Sequence, residues 1–358
     1  MFRCIFLSLI LFVTACATAP EEQCKIIEIN DEAEQTNVTE LIESIRYVVL
    51  QQPEDAYLTP VGVIVENDRI YSLDLYQRIF VHDINGLFLN ILDRRGRGPG
   101  EYNSLSDFYV DDEYLYVLDG LMQKIFVYDN VSLQFIHDIH VPFRASDFVI
   151  LDDGGFMFVK YPRQGINEQD EEKRYRVIVT DSDMIVRERH FGFEVDAYDA
   201  FAMQSIFVEK DKVYYASINE DAYYTFDKRT GNLLEKVKLK FDNPIPDKKR
   251  HDIAYVMESK HTALGSAPIV LGDQMLFICV SGLEASYYIY DGTSVRRHND
   301  DAVSMFRFFG ASGDEFVAYG TSQGYDQNVS RGLKSAEPEV EAQIHDDIPY
   351  LVFLRMKE

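Results

Sequence analysis

Three arginines lie close together in one glycine-rich segment. The segment Arg94-Arg95-Gly96-Arg97-Gly98-Pro99-Gly100 places three guanidinium groups beside backbone amides that glycine leaves accessible. Guanidinium groups bind carboxylate and phosphate oxygens in a bidentate way, and successive backbone amides can form a concave anion site. Arg94, Arg95 and Arg97 are therefore candidate ligands for a carboxylate, a sulfate or a phosphate. The alternative is a solvated turn whose arginines pair with the abundant acidic side chains of this protein.

A second group of candidate binding residues is mostly aromatic. Tyrosine combines an apolar ring with a polar hydroxyl, so it stacks on sugars and packs against protein partners. The alternative is that these rings only shield the ends of strands. The residues of this group lie in or beside long polar segments: Tyr102, Tyr161, Arg163, Tyr198 and Tyr325.

The catalytic patterns of the chain are incomplete. Residues 320–324 fit Gly-x-Ser-x-Gly, and His345 follows them. A nucleophile elbow, however, needs a strand-to-helix turn on a parallel sheet, and the short stretch that remains must also supply the last strand. We interpret residues 320–324 as a polar loop and predict no catalytic residue. The alternative is a lyase or glycoside hydrolase in which Glu101 or Asp199 acts with a tyrosine or arginine, because paired carboxylates need no linear motif.

Composition excludes several classes of protein. The chain has 358 residues and a formal charge of -25, with 46% hydrophobic residues and no tryptophan. So many apolar residues argue against disorder, and the acidic balance repels phosphate backbones. We therefore expect no nucleic-acid partner. The abundance of tyrosine and phenylalanine favours β-strands.

The N-terminus carries an export signal. Arg3 precedes an apolar run over residues 5–13, which is long enough for a signal peptide and too short for a membrane-spanning helix. The next residues, Val13-Thr14-Ala15-Cys16, resemble the bacterial lipobox, whose cysteine is acylated and becomes the new N-terminus. The resemblance implies lipidation at Cys16. The alternative is a secreted protein whose cleavage site happens to contain cysteine.

A repeat organises the rest of the chain, and its period indicates the fold. Strand-like runs alternate with polar turns, and the third run of a unit often ends in aspartate before a hairpin turn, as at Asp83 and Asp227. Six such units of four strands predict an all-β six-bladed propeller with four-stranded antiparallel blades. The last unit lacks its outer strand, and residues 45–50 are predicted to supply it.

These segments define the predicted domains. We expect a lipoprotein signal peptide over residues 1–15, a tether over residues 16–40 and the propeller over residues 41–358. Cleavage removes Cys4 and lipidation uses Cys16, so only Cys24 and Cys279 are left, which are too few for a disulfide framework.

No metal site is predicted. The histidines form no His-Glu-x-x-His motif, and the acidic turns lack the EF-hand spacing. Asp107 and Asp147 recur at the start of inner strands, where they are predicted to accept hydrogen bonds between blades. A structural calcium ion in the central channel is the alternative, and no other cofactor is expected.

The repeated segments also resemble a known family. Residues 60–83, the stretch Gly96-Arg97-Gly98-Pro99-Gly100-Glu101-Tyr102 and the C-terminal residues 348–357 are similar to NHL-type propeller repeats. They are similar in particular to the six-bladed β-propeller lipoproteins of gut Bacteroidales. The resemblance implies a fold and a location in the cell envelope, lipid-anchored at the outer membrane. It implies little biochemistry, so the function must be argued from the site.

The long connections predict the binding face. Links between the second and third strands, and between blades, lie on one face of a propeller, and loops of more than about 12 residues are usually functional. We therefore predict a monomeric, non-catalytic envelope protein that binds a saccharide, a peptide or an envelope protein on this face and contacts the bilayer through acylated Cys16. The long segments are residues 93–105, 160–174, 193–204, 242–267 and 320–349.

Overall fold

The computed structural model describes residues 24–30, 35–36, 38–160, 175–192, 204–217, 220–250, 252–282, 284–298 and 306–357. The predictions for Cys16, Tyr161, Arg163, Tyr198 and Asp199 lie outside these residues.

The described residues form six sheets, which are the six blades of a β-propeller; the strands of each blade are antiparallel, so the predicted fold class is confirmed. The described chain begins with β1 (Lys25–Ile29), β2 (Gln35–Thr36), α1 (Val38–Leu41) and β3 (Ile42–Val49).

Blade 1 contains β4 (Pro60–Glu66), β5 (Arg69–Asp74), β6 (Ile79–Asp83) and β7 (Phe88–Leu92). Blade 2 contains β8 (Asp107–Val110), β9 (Tyr114–Asp119), β10 (Lys124–Asp129) and β11 (Phe135–His140). Blade 3 contains β12 (Ala145–Ile150), β13 (Phe156–Lys160), β14 (Tyr175–Thr180) and β15 (Val186–Gly192). Blade 4 contains β16 (Ile206–Glu209), β17 (Lys212–Ser217), β18 (Ala222–Asp227) and β19 (Leu233–Phe241). After α2 (Ile253–Glu258), blade 5 contains β20 (Thr262–Leu264), β21 (Ile269–Leu271), β22 (Gln274–Ser281), β23 (Glu284–Tyr290) and β24 (Val295–His298). Blade 6 contains β25 (Arg307–Ser312), β26 (Glu315–Gly320) and, after α3 (Ser322–Ser330) and α4 (Pro338–His345), β27 (Tyr350–Met356).

The burial pattern follows from the packing of blades face to face. In β10, four consecutive residues from Ile125 to Tyr128 are buried, because both faces of this strand contact neighbouring blades. The outer strand β11 is mostly exposed. A strand covered on both faces reads as a continuous apolar run rather than an alternating one, which is why the third run of each unit is so apolar.

Aspartates at the ends of third strands build the predicted hairpins. The Asp83 carboxylate accepts hydrogen bonds from the backbone amides of Asn85 and Leu87, both at 2.9 Å. The Asp291 carboxylate accepts them from Thr293 and Ser294. Side chains that bind their own turn replace the hydrogen bonds that the strand ladder loses there. The predicted role of these aspartates in the hairpins is confirmed.

An N-terminal strand closes the ring as predicted. Strand β3 pairs antiparallel with β27, from Tyr350 opposite Val49 to Met356 opposite Ile42. The closing strand therefore covers residues 42–49 rather than 45–50. Closure leaves β27 without an open edge, which protects it from pairing with other chains.

Two strands before β3 lie against the outer edges of other blades. Strand β1 pairs in parallel with β19 of blade 4, and β2 pairs in parallel with β24 of blade 5. Residues 25–29 and 35–36, which the sequence places in the tether, thus belong to these two sheets.

The connections divide between two faces. Links from the first to the second strand and from the third to the fourth are short and define the short-loop face. The other links define the long-loop face, which carries α2, α3 and α4. The prediction of a polar loop at residues 320–324 is wrong, because α3 begins at Ser322 and the Thr321 side chain caps its N-terminus. No described helix is long and apolar enough to cross a membrane.

Candidate functional site

The three predicted arginines lie on the long-loop face, in the link from blade 1 to blade 2. Arg94, Arg95 and Arg97 are exposed. Within the described part of the chain, none of them pairs with a carboxylate. The alternative, a solvated turn whose arginines pair with acidic neighbours, is therefore not observed among the described residues. Their positive charge is available to a ligand.

The glycine amides beside these arginines are already used. The Gly98 amide donates to Oε2 of Glu101 at 2.7 Å, and the Gly96 amide donates to the carbonyl of Tyr102 at 3.0 Å. A Cβ atom at Gly96 would collide with the Glu101 carboxylate, so glycine makes room for this internal anion. The sequence-based expectation of free amides is wrong at Gly96 and Gly98, because the Tyr102 carbonyl and the Glu101 carboxylate of the same loop accept their hydrogen bonds. The same contact occupies Glu101, one of the acids considered for catalysis.

Tyr102 does not form part of the surface. Its side chain is fully buried, and its hydroxyl donates to the carbonyl of Gln77 at 2.7 Å. Burial raises the pKa of this hydroxyl, so it stays protonated and remains a donor. Tyr102 therefore joins the arginine loop to the β5–β6 turn of blade 1. The prediction that Tyr102 lies on a stacking surface is wrong, because its buried ring and bonded hydroxyl hold the loop in place.

Tyr325 is also buried. It lies in α3, where its hydroxyl donates to Glu341 at 3.0 Å and accepts from the amide of Ala336 at 2.9 Å. Its ring meets that of Tyr47 edge-on, with centroids 5.4 Å apart. This tyrosine holds α3 and α4 against the closing strand and offers no ring to solvent. The prediction that it adds exposed aromatic surface is wrong because the residues around it are helical.

His345 and the Gly-x-Ser-x-Gly segment do not assemble as a hydrolase triad would. The Nε2 atom of His345 lies 2.9 Å from Oδ1 of Asp326 in α3. This contact raises the pKa of the His345 ring. A histidine held by a carboxylate through Nε2 cannot use that atom as the base for a serine.

Exposed apolar residues that sequence reasoning missed lie on the same face as the arginine loop. They occupy the turns between second and third strands in blades 1 and 2 and the link into blade 1, all on the long-loop face. Monomeric proteins rarely gather large apolar side chains on one exposed patch without a binding role. Their exposed fractions are 81% for Tyr57, 66% for Leu75, 63% for Tyr76, 51% for Leu121 and 40% for Met122.

Two buried aspartates display these apolar side chains. Asp74 accepts hydrogen bonds from the amides of Tyr76 and Arg78, and its other oxygen binds the Arg78 guanidinium at 2.7 Å. Asp119 accepts from the amide of Met122 at 2.9 Å. Each carboxylate holds the backbone of its turn from below, so the side chains of the turn project outward. The sequence signal for them is an apolar pair within three residues after a strand-ending aspartate.

Hydrogen bonds connect these turns with the arginine loop. Asp119 also accepts from the amides of Asn103 and Ser104, which follow the arginines in the chain. In blade 1, the Arg78 guanidinium donates to the carbonyl of Tyr57 and lies 5.1 Å from the centroid of the Tyr76 ring. We define the blade 1–2 patch as Tyr57, Leu75, Tyr76, Arg94, Arg95, Arg97, Leu121 and Met122.

A second feature is the central channel, which has a volume of about 1040 Å³. The Asp107 carboxylate accepts from the amide of Phe148 in the next blade at 3.0 Å, so its predicted role between blades is confirmed. Among the described residues, Asp147 has no such bond. Burial and the neighbouring Asp147 charge raise the pKa of Asp107 well above its ordinary value, and burial raises that of Asp147.

Both aspartates lie at the long-loop end of the channel, as does Arg307. The described residues contain no group of three or more histidine, cysteine or acidic side chains placed to hold a metal ion. A calcium ion in the channel stays the alternative to the predicted bonds between blades.

Comparisons with known proteins match the fold but name no activity. A family model described as a domain of unknown function (DUF4934) matches residues 22–337. A crystal structure of a Bacteroides fragilis protein that has been described as exported has a TM-score of 0.75 at 18% identity, covering 93% of this chain and 100% of its own.

Two further structures have lower TM-scores. BamB from Moraxella catarrhalis scores 0.37 at 11% identity, covering 83% of this chain and 69% of its own. The Swd1 propeller domain from Myceliophteria thermophila scores 0.42 at 11% identity, covering 76% and 82%. No protein with a curated description matches the sequence.

Proposed function

We propose that this chain, which belongs to the family described as a domain of unknown function (DUF4934), is an exported, lipid-anchored propeller whose blade 1–2 patch binds an acidic partner protein. The signal sequence and the lipobox-like Cys16 support export and anchoring. The similar fold of an exported Bacteroides fragilis protein is consistent with that location.

The composition of the patch favours a protein or peptide over a saccharide. Tyrosine, methionine and arginine are the residues that protein interfaces concentrate, and tyrosine and arginine dominate binding hot spots. Exposed leucine and methionine side chains offer no hydrogen bonds to sugar hydroxyls. Three guanidinium groups that pair with no described carboxylate, on a chain of charge -25, favour a partner that carries carboxylates beside apolar side chains.

The observation that carries the proposal is the absence of acidic partners for Arg94, Arg95 and Arg97 among the described residues. In so acidic a chain, three exposed arginines would readily find carboxylates of their own. Their exposure on the face that also carries five large exposed apolar side chains supports a binding role for this part of the long-loop face.

A random copolymer of glutamate and tyrosine is a suitable probe, because it presents both groups that the patch would recognise. We expect the purified protein to bind immobilised copolymer, and the Arg94→Glu, Arg95→Glu, Arg97→Glu variant to bind it at least about tenfold more weakly, a loss of about 1.4 kcal/mol. Polyglutamate should bind less well than the copolymer, since it lacks aromatic rings.

A matched control reverses the same number of charges on the short-loop face. Lys210, Lys212 and Arg229 are exposed there, and their replacement by glutamate changes the net charge equally. The control variant should bind like the natural protein. If both variants lose binding equally, attraction by net charge explains the result and the patch does not.

The two aspartates of the central channel, Asp107 and Asp147, favour a second candidate function, which is catalysis. Asp107 and Asp147 are carboxyl groups with raised pKa values in one cavity, an arrangement that general acid catalysis uses. The corresponding enzyme would be a glycoside hydrolase or lyase that acts at the long-loop end of the channel. Release of reducing sugar from a panel of polysaccharides, lost in Asp147→Asn, would establish this alternative.

A further inference from the structure

The long-loop end of the central channel carries charged side chains of both signs on different walls. Asp107 begins β8 in blade 2, Asp147 lies in β12 of blade 3, and Arg307 begins β25 in blade 6. All three residues line the channel. In a ring of six blades, blade 6 lies opposite blade 3, so the guanidinium group belongs to the wall opposite Asp147. None of these residues belongs to the blade 1–2 patch.

The two aspartates form one acidic wall. The Asp107 carboxylate accepts at 3.0 Å from the amide of Phe148, the chain neighbour of Asp147, so the two carboxyl groups lie on adjacent inner strands. Among the described residues, no lysine, arginine or histidine pairs with either group. Burial and the charge of Asp147 raise the pKa of Asp107, as expected where no cation offsets two close carboxyl groups. This wall therefore favours a ligand that brings a positive charge.

The opposite wall offers a positive charge. The Arg307 guanidinium donates to the carbonyl of Val61 in blade 1 at 3.2 Å, and its carbon lies 5.1 Å from the centroid of the Phe309 ring. These contacts position the guanidinium group without neutralising it, and within the described part of the chain no carboxylate pairs with it. Because a guanidinium group has five N–H donors, Arg307 keeps donors for a carboxylate ligand.

The space between the walls suits a small molecule. The channel volume of about 1040 Å³ is at the upper end of the range of small-molecule sites. Apolar side chains, among them Val63, Phe108 and Phe308, also line it. A neutral saccharide would bring no charge to either wall, and a metal ion on the aspartates would leave Arg307 without a partner. A ligand with one positive and one negative group would satisfy both walls.

We propose that the long-loop end of the channel binds a small zwitterion of the amino acid or short-peptide class, with its ammonium group at Asp107 and Asp147 and its carboxylate at Arg307. This site goes beyond the proposed function, because it uses other residues and another ligand than the blade 1–2 patch. The ammonium group donates to the aspartates, and the carboxylate accepts from the guanidinium group, so each wall gains a charged hydrogen bond.

Isothermal titration calorimetry of the purified full-length protein with alanine, dialanine and trialanine tests the proposal. The three probes carry the same charged groups and differ in length. We expect at least one of them to bind, and its N-acetylated and C-amidated forms to bind at least about tenfold more weakly, because each blocked form leaves one wall unpaired. No binding of any of the three at concentrations up to about 10 mM, or equal binding of the blocked forms, overturns the proposal.

Variants of the channel locate the binding. Asp147→Asn and Arg307→Gln should each weaken the binding of the same probe at least about tenfold. Glu66→Gln is the matched control, because Glu66 lines the channel at its short-loop end and the substitution removes the same charge as Asp147→Asn. It should bind like the natural protein, as should the variant with glutamate at all three patch arginines. An equal loss in Glu66→Gln and Asp147→Asn overturns the site, because the total charge of the channel then explains the binding.

Discussion

The closure of the ring by β3 makes a quantitative prediction at Leu50. This residue follows β3, is fully buried, and packs in the cluster between blade 6 and blade 1 with Phe309, Leu351 and Phe353. Its amide donates to the carbonyl of Pro349 at 2.8 Å. Leu50→Ala keeps this backbone bond and removes only the apolar contacts between the last and first blades.

The expected loss follows from the cavity that the substitution leaves. A buried leucine replaced by alanine costs about 2–5 kcal/mol, and we take about 3 kcal/mol for this site. With an unfolding entropy of about 2.1 cal/mol/K per residue over roughly 300 residues, that loss lowers Tm by about 5 °C. Because the ring closes on itself, we expect one transition that moves as a whole.

Differential scanning calorimetry measures both the shift and the number of transitions. Leu89→Ala is the matched control, since Leu89 lies in the outer strand of blade 1 and is exposed, and it should shift Tm by less than about 1 °C. Deletion of residues 40–50 removes the strand and should cause a larger loss with aggregation through the free edge of β27. An unchanged Tm for Leu50→Ala, or separate melting of one blade, would refute closure by β3.

Three further predictions concern individual side chains. Asp147→Asn should raise Tm at pH 7 more than at pH 3.5. Burial raises the pKa of Asp147 in the folded protein above its unfolded value of about 3.9, so the ionised carboxylate opposes folding as pH rises through the folded pKa. An equal rise in Tm at both pH values would contradict the role of the buried charge. Asp291→Ala should narrow the difference in Tm between pH 7 and pH 3. The turn hydrogen bonds of the Asp291 carboxylate lower its folded pKa, and the stability that they add above about pH 3.9 is lost as pH falls. Calorimetry at the two pH values measures this difference, and an unchanged difference would count against the role of Asp291 in the hairpin. Tyr102→Phe removes the hydrogen bond to Gln77 and should lower the free energy of unfolding in urea by about 1 kcal/mol. It should also weaken copolymer binding, because this bond joins the arginine loop to blade 1. An unchanged free energy of unfolding would mean that the bond adds no net stability.

Local chemistry explains which parts of the fold could be predicted. The strand-ending aspartates, such as Asp83 and Asp291, carry their hydrogen bonds within four residues, so the sequence pattern specifies the turn. The missing outer strand of the sixth unit predicted closure by the N-terminus, because an antiparallel blade needs a partner for its third strand. The division between short and long loops then followed from the order of strands.

Contacts between distant segments explain what was missed. The buried Tyr102 hydroxyl is paired with the carbonyl of Gln77, which lies 25 residues away in the β5–β6 turn of blade 1. Helix α3 forms in a polar segment because Tyr325 packs against Tyr47 and the closing strand, which local propensity does not reveal. The apolar side chains of the patch occupy short turns, where single exposed apolar residues are common, and only the arrangement of the two blades brings them beside the arginines.

The most direct test of the account is amide hydrogen exchange of the full-length protein with and without the glutamate–tyrosine copolymer. We predict added protection in residues 74–78, 94–104 and 119–122, the segments that carry most of the blade 1–2 patch, and unchanged exchange in the short-loop turns at residues 83–87 and 129–133. Protection spread equally over both faces, or confined to the residues that line the channel, would contradict the assignment of the patch as the binding surface.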